Sequence, residues 1–369
     1  MSRRAAAGDG RGTRRRHPTI VDVAKRAGVS KSLVSLVLRD EPNVSDEKRA
    51  AVTRAAEEIG YRPNAVARSL VRRRSYLIGV MVSDLHNPYF TEVIDGIQTA
   101  ARGSGYHALF NTGGRAAAEE DEALDALLQL RTDGIVMAGP VLAARRIAAV
   151  AASVPVVVVA KHSRSPAHDS ITNDDRMGAR IAVDHLVSLG HRRIAHVDGG
   201  TGAGSTQRRS GFLDAMARHG LRSSARIVTG AFTEEGGRDG VTTLLHDRRG
   251  VTAVFVGNDL AAVGALDALV HHGLRVPEDM SLVGYDNIAL AGLGHIDLTT
   301  IDQPRHEMGV TAVRLLLERR DEDRHEARHL VVPPALVVRG STGPPPRGRR
   351  GPAAQPVLSS RTRGTRDDV

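Results

Sequence analysis

The chain carries 16 histidines and 42 carboxylates in 369 residues, enough to build a catalytic or metal site if their spacing allows it. It does not. His271 and His272 are adjacent and His185 and His191 lie six apart, so neither pair has the i, i+4 spacing that puts two imidazoles on one helix face. No cysteine is present, which removes thiolate nucleophiles, disulfides and Cys-ligated zinc or iron–sulfur clusters. Gly200-Thr201-Gly202-Ala203-Gly204 hints at a phosphate cradle but lacks both the full dinucleotide pattern and a Lys-Ser/Thr ending. No serine elbow or paired-acid constellation stands out. The expectation is a chain that is not an enzyme and needs no metal or cofactor.

The spacing that does point to a function is Ala24, Gly28 and Val34. A small residue lets two helices cross closely, a glycine four residues on takes the left-handed turn, and a branched apolar residue six further locks the second helix. This is helix-turn-helix spacing, and it lies in the most basic part of the chain. Residues 1–75 carry 18 Lys and Arg against 8 Asp and Glu, residues 76–339 carry 27 against 32, and residues 340–369 carry 6 against 2. A basic head on a mildly acidic body suggests a polyanion-binding module joined to a part that binds something else.

The elements that must position these residues follow from local signals. Thr19 and Asp22 form a capping box ahead of a helix running to Ala27, which Gly28 ends. Ser30 caps a second helix from Lys31 to Leu38. A third starts at Ser45-Asp46-Glu47, with acids in its positive first turn, and continues to Ile59 before Gly60. Residues 1–17 have almost nothing to bury, and the chain from Ser341 is rich in Pro, Gly, Ser and Arg; both read as disordered. Ala65–Leu70 could form only one or two helical turns, too short to stand alone in water.

From Tyr76 buried-strand patterns alternate with amphipathic helices. Strands are expected at 76–82, 107–111, 134–138 and 155–160, then at 194–198, 225–229, 253–257 and 281–285. Continuous apolar strands between helices indicate parallel sheets covered on both faces, and two such sets indicate two doubly wound subdomains with a ligand cleft beyond their strand ends. Hydrophobic residues at 41% fit a globular protein, and no apolar run approaches the ~18–20 residues that span a bilayer. The basic N-terminus has no apolar h-region, so a cytoplasmic protein without membrane attachment is expected.

Residues 19–30 (TIVDVAKRAGVS) closely resemble the N-terminal signature of the LacI/GalR family of bacterial repressors. The resemblance continues through Gly60-Tyr61-Arg62-Pro63-Asn64, Ala67-Arg68-Ser69-Leu70, Asn87-Pro88-Tyr89-Phe90, Leu189-Gly190-His191, Gly257-Asn258-Asp259 and Gly284-Tyr285-Asp286-Asn287, covering roughly residues 18–342. It implies an N-terminal all-α helix-turn-helix DNA-binding domain plus an α/β core of two doubly wound parallel-sheet subdomains, like periplasmic binding proteins. The implied organisation is a basic arm (1–17), a headpiece (18–62), a hinge helix and linker (63–75), a two-lobed core (76–342) and a basic tail (343–369). The first lobe would hold about 76–173 plus 304–329, and the second 174–302 plus 330–342.

The resemblance also implies site residues. Lys31 and Ser32 would read bases in the major groove, with Leu36 one turn on; Leu36 stands where some members have Arg, so readout there would be apolar. Thr19, Ser30 and Ser35 offer hydroxyls to phosphates, although capping accounts for part of Thr19 and Ser30. Tyr61 is included in the DNA-binding set. Asn64 and Ala67 would line the minor groove, and Leu70 would wedge between central base pairs. A small polar effector, a sugar or sugar phosphate, would sit among Asn87, Phe90, Asp174 (or Asn173), Arg208, Phe232, Asn258 and Asp286. The partners implied are a double-stranded pseudo-palindromic operator and a second copy of the chain, as a homodimer or higher assembly. The rival reading is a transport-type sugar-binding protein, which would not retard DNA.

Overall fold

The computed structural model describes residues 18–38, 41–61, 74–247, 250–322 and 324–346. The expected arm at 1–17, the hinge residues Asn64, Ala67 and Leu70, and residues 347–369 of the expected tail lie outside them. The chain divides at Ser75/Tyr76 into two compact units.

The headpiece has the three expected helices, α1 (Ile20–Ala27), α2 (Lys31–Leu38) and α3 (Asp46–Glu58). The Thr19 amide donates to Asp22 at 2.8 Å and the Asp22 amide to the Thr19 hydroxyl oxygen at 3.4 Å, completing the capping box. Gly28 turns the chain at φ +67, in the left-handed region where a side chain would be strained. Ser45 occupies the N-cap of α3 without a side-chain cap bond, so acids in the first turn are what favour that end. Val23, Ala24, Val34, Val37 and Val52 form the small core, as the Ala24–Gly28–Val34 spacing requires.

The core unit is built on two parallel sheets. The first contains β1 (Leu77–Val82), β2 (His107–Thr112), β3 (Gly134–Ala138), β4 (Val156–Val159), β5 (Asp169–Asn173) and β11 (His329–Val332), in the order β11-β5-β4-β3-β1-β2. The second contains β6 (Ile194–Val197), β7 (Arg226–Val228), β8 (Ala253–Val256) and β9 (Ser281–Val283), in the order β7-β6-β8-β9. A short antiparallel pair joins β10 (Thr300–Asp302), which follows β9 in the chain, to β12 (Ala335–Val337), which follows β11. Helices α4 (Pro88–Gly103), α5 (Ala117–Gln129), α6 (Ala144–Ala151) and α11 (Arg305–Asp321) serve the first lobe. Helices α7 (Asp175–Ser188), α8 (Ser205–Arg218), α9 (Glu234–His246) and α10 (Asp259–His271) serve the second.

Three differences from expectation have physical causes. Strand β5 reads as a polar segment, yet it is fully buried because Asp169 is neutralised by Arg324 at 2.6 Å and Arg319 at 3.2 Å, and Ser170 pairs with His329 at 2.7 Å. The first lobe extends to Val332 rather than 329, since all of β11 pairs parallel with β5. The tail is not free from Ser341 or 343. Ser341 exchanges bonds with Leu282 of β9, accepting at 2.8 Å through its carbonyl and donating its hydroxyl at 2.6 Å, and the Gly343 amide donates to Ser281 at 3.0 Å.

The first lobe closes on a contact between α4 and α11. A Cβ placed on Gly96 would lie 2.0 Å from the His306 carbonyl oxygen, and one on Gly309 would lie 2.2 Å from that of Val93. Two glycines thus let the backbones touch. Gly96→Ala forces the helices apart and should destabilise the core unit by about 1–3 kcal/mol, the usual range for overpacking. A calorimetric midpoint for that unit equal to the unsubstituted chain's would show that the close crossing is not needed.

Candidate functional site

On the headpiece, Val34 and Val37 anchor α2 in the core, which leaves Lys31, Ser32 and Leu36 exposed on its outer face and Ser35 half-buried beside them. Lys31 and Ser32 occupy the first turn, where the backbone amides also point outward. The hydroxyls of Thr19 and Ser30 are engaged locally: Thr19 donates to Asp22 at 2.7 Å and Ser30 accepts from the Leu33 amide at 3.2 Å. Tyr61 is half-buried against the headpiece core.

In the core unit a cavity of about 500 Å³ opens where the strand ends of the two sheets face each other. Asn87, Phe90, Arg208, Phe232, Asn258 and Asp286 all line it. Asn87 is the N-cap of α4, accepting from the Tyr89 amide at 3.0 Å, so the helix start carries both Asn87 and Phe90 to the wall. The Phe90 ring occupies space left by Gly139, where a Cβ would lie 2.5 Å away. The Phe232 ring is accommodated in the same manner: Cβ atoms on Gly199 and Gly202 would lie 2.1 and 2.4 Å from it. Within the glycine-rich turn suspected of cradling phosphate, Gly202 is thus bare beside an aromatic ring, while Cβ atoms on Gly200 and Gly204 would meet the Gly230 carbonyl and the Asp175 carboxylate, each at 2.8 Å.

Arg208 is the electrostatic centre of the floor. Its Nε donates to Asp175 Oδ1 at 2.9 Å, Nη1 donates to the Gly257 carbonyl, and Asp286 lies 3.8 Å from Nη1. The guanidinium lies over the Tyr285 ring, 3.7 Å from its centroid, a cation–π contact strengthened by desolvation. Burial penalises the Asp175 carboxyl, but Arg208 and His162 outweigh that and hold it below the usual range. Burial pushes Asp286 up to about 7 against the pull of Arg208 and Arg305, and Gln303 Nε2 donates to it at 2.6 Å. Behind it, burial and the neighbouring Asp286 push Asp259 up to about 8, against bonds from the Thr300 hydroxyl and the Ile288 amide.

Asn258 carries the clearest unspent chemistry. Its Oδ1 caps α10 at the Ala261 amide, 3.0 Å away, while Nδ2 has no partner in the protein although the residue is 1% exposed and lines the cavity. A buried amide N–H of this kind requires an acceptor from solvent or a ligand.

Two expected residues lie elsewhere. Asn173 is buried at the end of β5 and donates to the Tyr285 hydroxyl, and Asp174 caps α7 by accepting from the Met177 amide at 2.9 Å. The carboxylate that reaches the cavity is the next one, Asp175. Helix entry decides this here: Asp174 is consumed as the cap of α7, and Asp175, the first helical residue, is the one that Arg208 binds. Sequence reasoning also missed Thr172 on the polar strand β5, and Ser83, Asp84, Arg115 and Gln303, which line the cavity from segments between elements that carry no periodic signal.

Both buried acids hold protons more tightly when folded than when unfolded, so folding takes up protons and stability falls as pH rises from about 4 towards 8. Asp259→Asn removes one such group. Its stability relative to the unsubstituted chain should therefore improve on going from pH 5 to pH 8.5, by on the order of 4 kcal/mol in urea unfolding. A difference that does not change with pH would show that Asp259 is ionised throughout.

Residues 19–64 match the family described as bacterial regulatory proteins, lacI family, and residues 183–342 match the periplasmic binding protein-like domain. The chain is 34% identical over 336 residues to the HTH-type transcriptional repressor PurR of Erwinia tasmaniensis, covering 89% of this chain and 98% of that one. It is 35% identical over 325 residues to the ribose operon repressor of Haemophilus influenzae, covering 88% and 98%. Among solved structures, the Lac repressor dimer bound to operator and the anti-inducer ONPF is similar at TM-score 0.81 and 31% identity, over 89% of this chain and all of that one. A LacI family regulator from Enterococcus faecium with bound ribose is similar at TM-score 0.66 and 30% identity, over 73% and 99%. These relatives are transcriptional regulators, not enzymes, and among the described residues no helix is long and apolar enough to cross a membrane. The chain belongs to the LacI family of bacterial regulatory proteins: it is a DNA-binding transcriptional regulator with a periplasmic-binding-protein-like core.

Proposed function

We propose that the protein is a repressor that binds a pseudo-palindromic operator as a homodimer in the cytoplasm, and that a small polar effector, a sugar or sugar phosphate, occupies the cleft. The observation that carries the effector reading is the buried, unpartnered amide of Asn258, a residue that lines a cavity together with Asp286, Phe90 and Phe232. Hydroxyl-rich ligands suit such a site. They offer acceptors to Asn258 and donors to Asp286, and their apolar ring faces pack on Phe90 or Phe232. The ribose held by the Enterococcus relative and the operator held by the Lac repressor support the same reading.

In this reading Lys31 and Ser32 read base edges, Leu36 packs on a thymine methyl, and Ser35 with the first-turn amides meets phosphate. Asn64, Ala67 and Leu70 act at the operator centre, Leu70 as the wedge. The effector regulates by binding one arrangement of the lobes better than the other, because equal affinity for both would shift nothing.

Selection of the full-length protein against a random duplex pool at moderate salt should enrich one pseudo-palindrome with a central pyrimidine–purine step. Uniform, salt-sensitive binding with no enriched sequence would count against the repressor reading, and a half-site bound as tightly as the full site would exclude the homodimer. Leu70→Ala should weaken binding to the selected site by roughly tenfold or more while leaving non-specific binding nearly unchanged, as loss of a kinking wedge requires. With ribose as the first probe, Asp286→Asn should cost about tenfold to a hundredfold in affinity, the range for a hydrogen bond to a charged group. Operator selection by that variant should be unaltered.

A further inference from the structure

Arg305 is a nearly buried cation that the reading above does not use. It is the first residue of α11, where the chain returns from the second lobe to the first, and it lies two residues after Gln303, which reaches back to Asp286. Its Nη2 donates to both carboxylate oxygens of Glu92 on α4, at 3.0 and 2.8 Å, and to the carbonyl oxygen of Asn287 at 2.9 Å. Glu92 belongs to the first lobe and to the helix that delivers Phe90 to the cleft. Asn287 belongs to the second lobe and directly follows Asp286. One nitrogen of one guanidinium therefore ties the lobes together beside the floor of the site.

The rest of that guanidinium is idle. Nε and Nη1 are buried without hydrogen-bond partners, leaving three of the five N–H bonds unspent, and the second-lobe carboxylate of Asp302 lies 3.7 Å from Nη1. Leaving donors of a buried charge unpaired is costly, so a small displacement that brought Asp302 into bonding range would be favoured. The backbone at the far end of the bridge is also strained: Asp286 and Asn287 have φ values of +116 and +57 without being glycines. Conformations of that kind cost about 1–3 kcal/mol each and persist only where neighbouring groups enforce them. Here the Asn287 side chain is clasped by donation to Asp302 at 2.9 Å and by acceptance from Arg339 at 2.7 Å.

We propose that Arg305 is a positioning residue for ligand binding in the cleft: the Glu92–Arg305–Asn287 bridge holds the lobes at their present separation, and capture of its idle donors by Asp302 accompanies a change in that separation. The role rests on the cleft being the effector site, but the bridge can be tested without any ligand.

The chain lacks cysteine. Spin labels on Gln129→Cys in the first lobe and Ala217→Cys in the second, both exposed positions, therefore report the inter-lobe distance in the full-length protein diluted with unlabelled chain. Arg305→Met and Glu92→Gln should each shift or broaden the distance distribution, whereas Arg305→Lys, which keeps the charge, should stay near the parent. Glu92 is partly exposed, so its variant folds even if Arg305→Met does not. Ribose affinity should move with the distance, by about fivefold or more, the usual scale of coupling between two states. Unchanged distributions in Glu92→Gln and Arg305→Met overturn the proposal, and so does a lowered melting temperature without a change in distance, which would make Arg305 a stabiliser of the first lobe alone. If the parent fails to bind ribose, that outcome bears on the sugar reading, while the distance comparison still decides the role of Arg305.

Discussion

A guanidinium taken out of water must be neutralised and hydrogen-bonded where it lies, and the cleft of this protein is arranged around that requirement at Arg208. Asp175 supplies the charge, the Gly257 carbonyl a second acceptor, and the Tyr285 ring a face for the cation. Each partner comes from a different part of the second lobe: the start of α7, the end of β8 and the segment after β9. Satisfying one buried cation therefore fixes three elements relative to α8. Asn173 at the end of β5 donates to the Tyr285 hydroxyl, which carries the constraint into the first sheet. The floor of the cavity is held by charge and hydrogen bonds, while its walls, Phe90 and Phe232, are held by apolar packing into glycine-lined gaps.

Much of this arrangement is legible in the sequence. The headpiece was legible because each helix end carries its own local signal: the Thr19–Asp22 box, Gly28 and the acids after Ser45. The apolar strands β1, β3, β4, β6 and β8 were legible because burial on both faces leaves a continuous hydrophobic run. What escaped was structure whose burial is paid for by distant partners. Strand β5 looks like a loop in sequence because the arginines that neutralise Asp169 lie about 150 residues away. Helix α11 and strands β11 and β12 follow returns of the chain between the lobes that no local periodicity reveals.

The candidate site divides in the same way. Residues at strand ends and helix starts, such as Asn87, Asn258 and Asp286, could be placed from their family positions, and they do meet at the cavity. The acid of α7 was displaced by one residue because Asp174 and Asp175 are indistinguishable by type. Only the geometry of the helix entry separates the one that caps from the one that faces the cleft. Tyr285 was recognised as part of a motif, but its place beneath Arg208 is a fact of packing.

The discontinuity of the first lobe bears on how the protein is made. One cluster of the second lobe draws on residues from Ala195 to Leu298, while the other runs from Ala179 to Ile301 and has Leu336 packed against it. The first-lobe cluster begins at Ile78 but also needs Met308, Ala312, Val313, Leu315 and Leu316. Strands synthesised first must wait for a helix synthesised more than two hundred residues later. For that interval the faces of β3, β4 and β5 that α11 will cover are bare, and premature release of a chain lacking α11 would present them to other nascent chains.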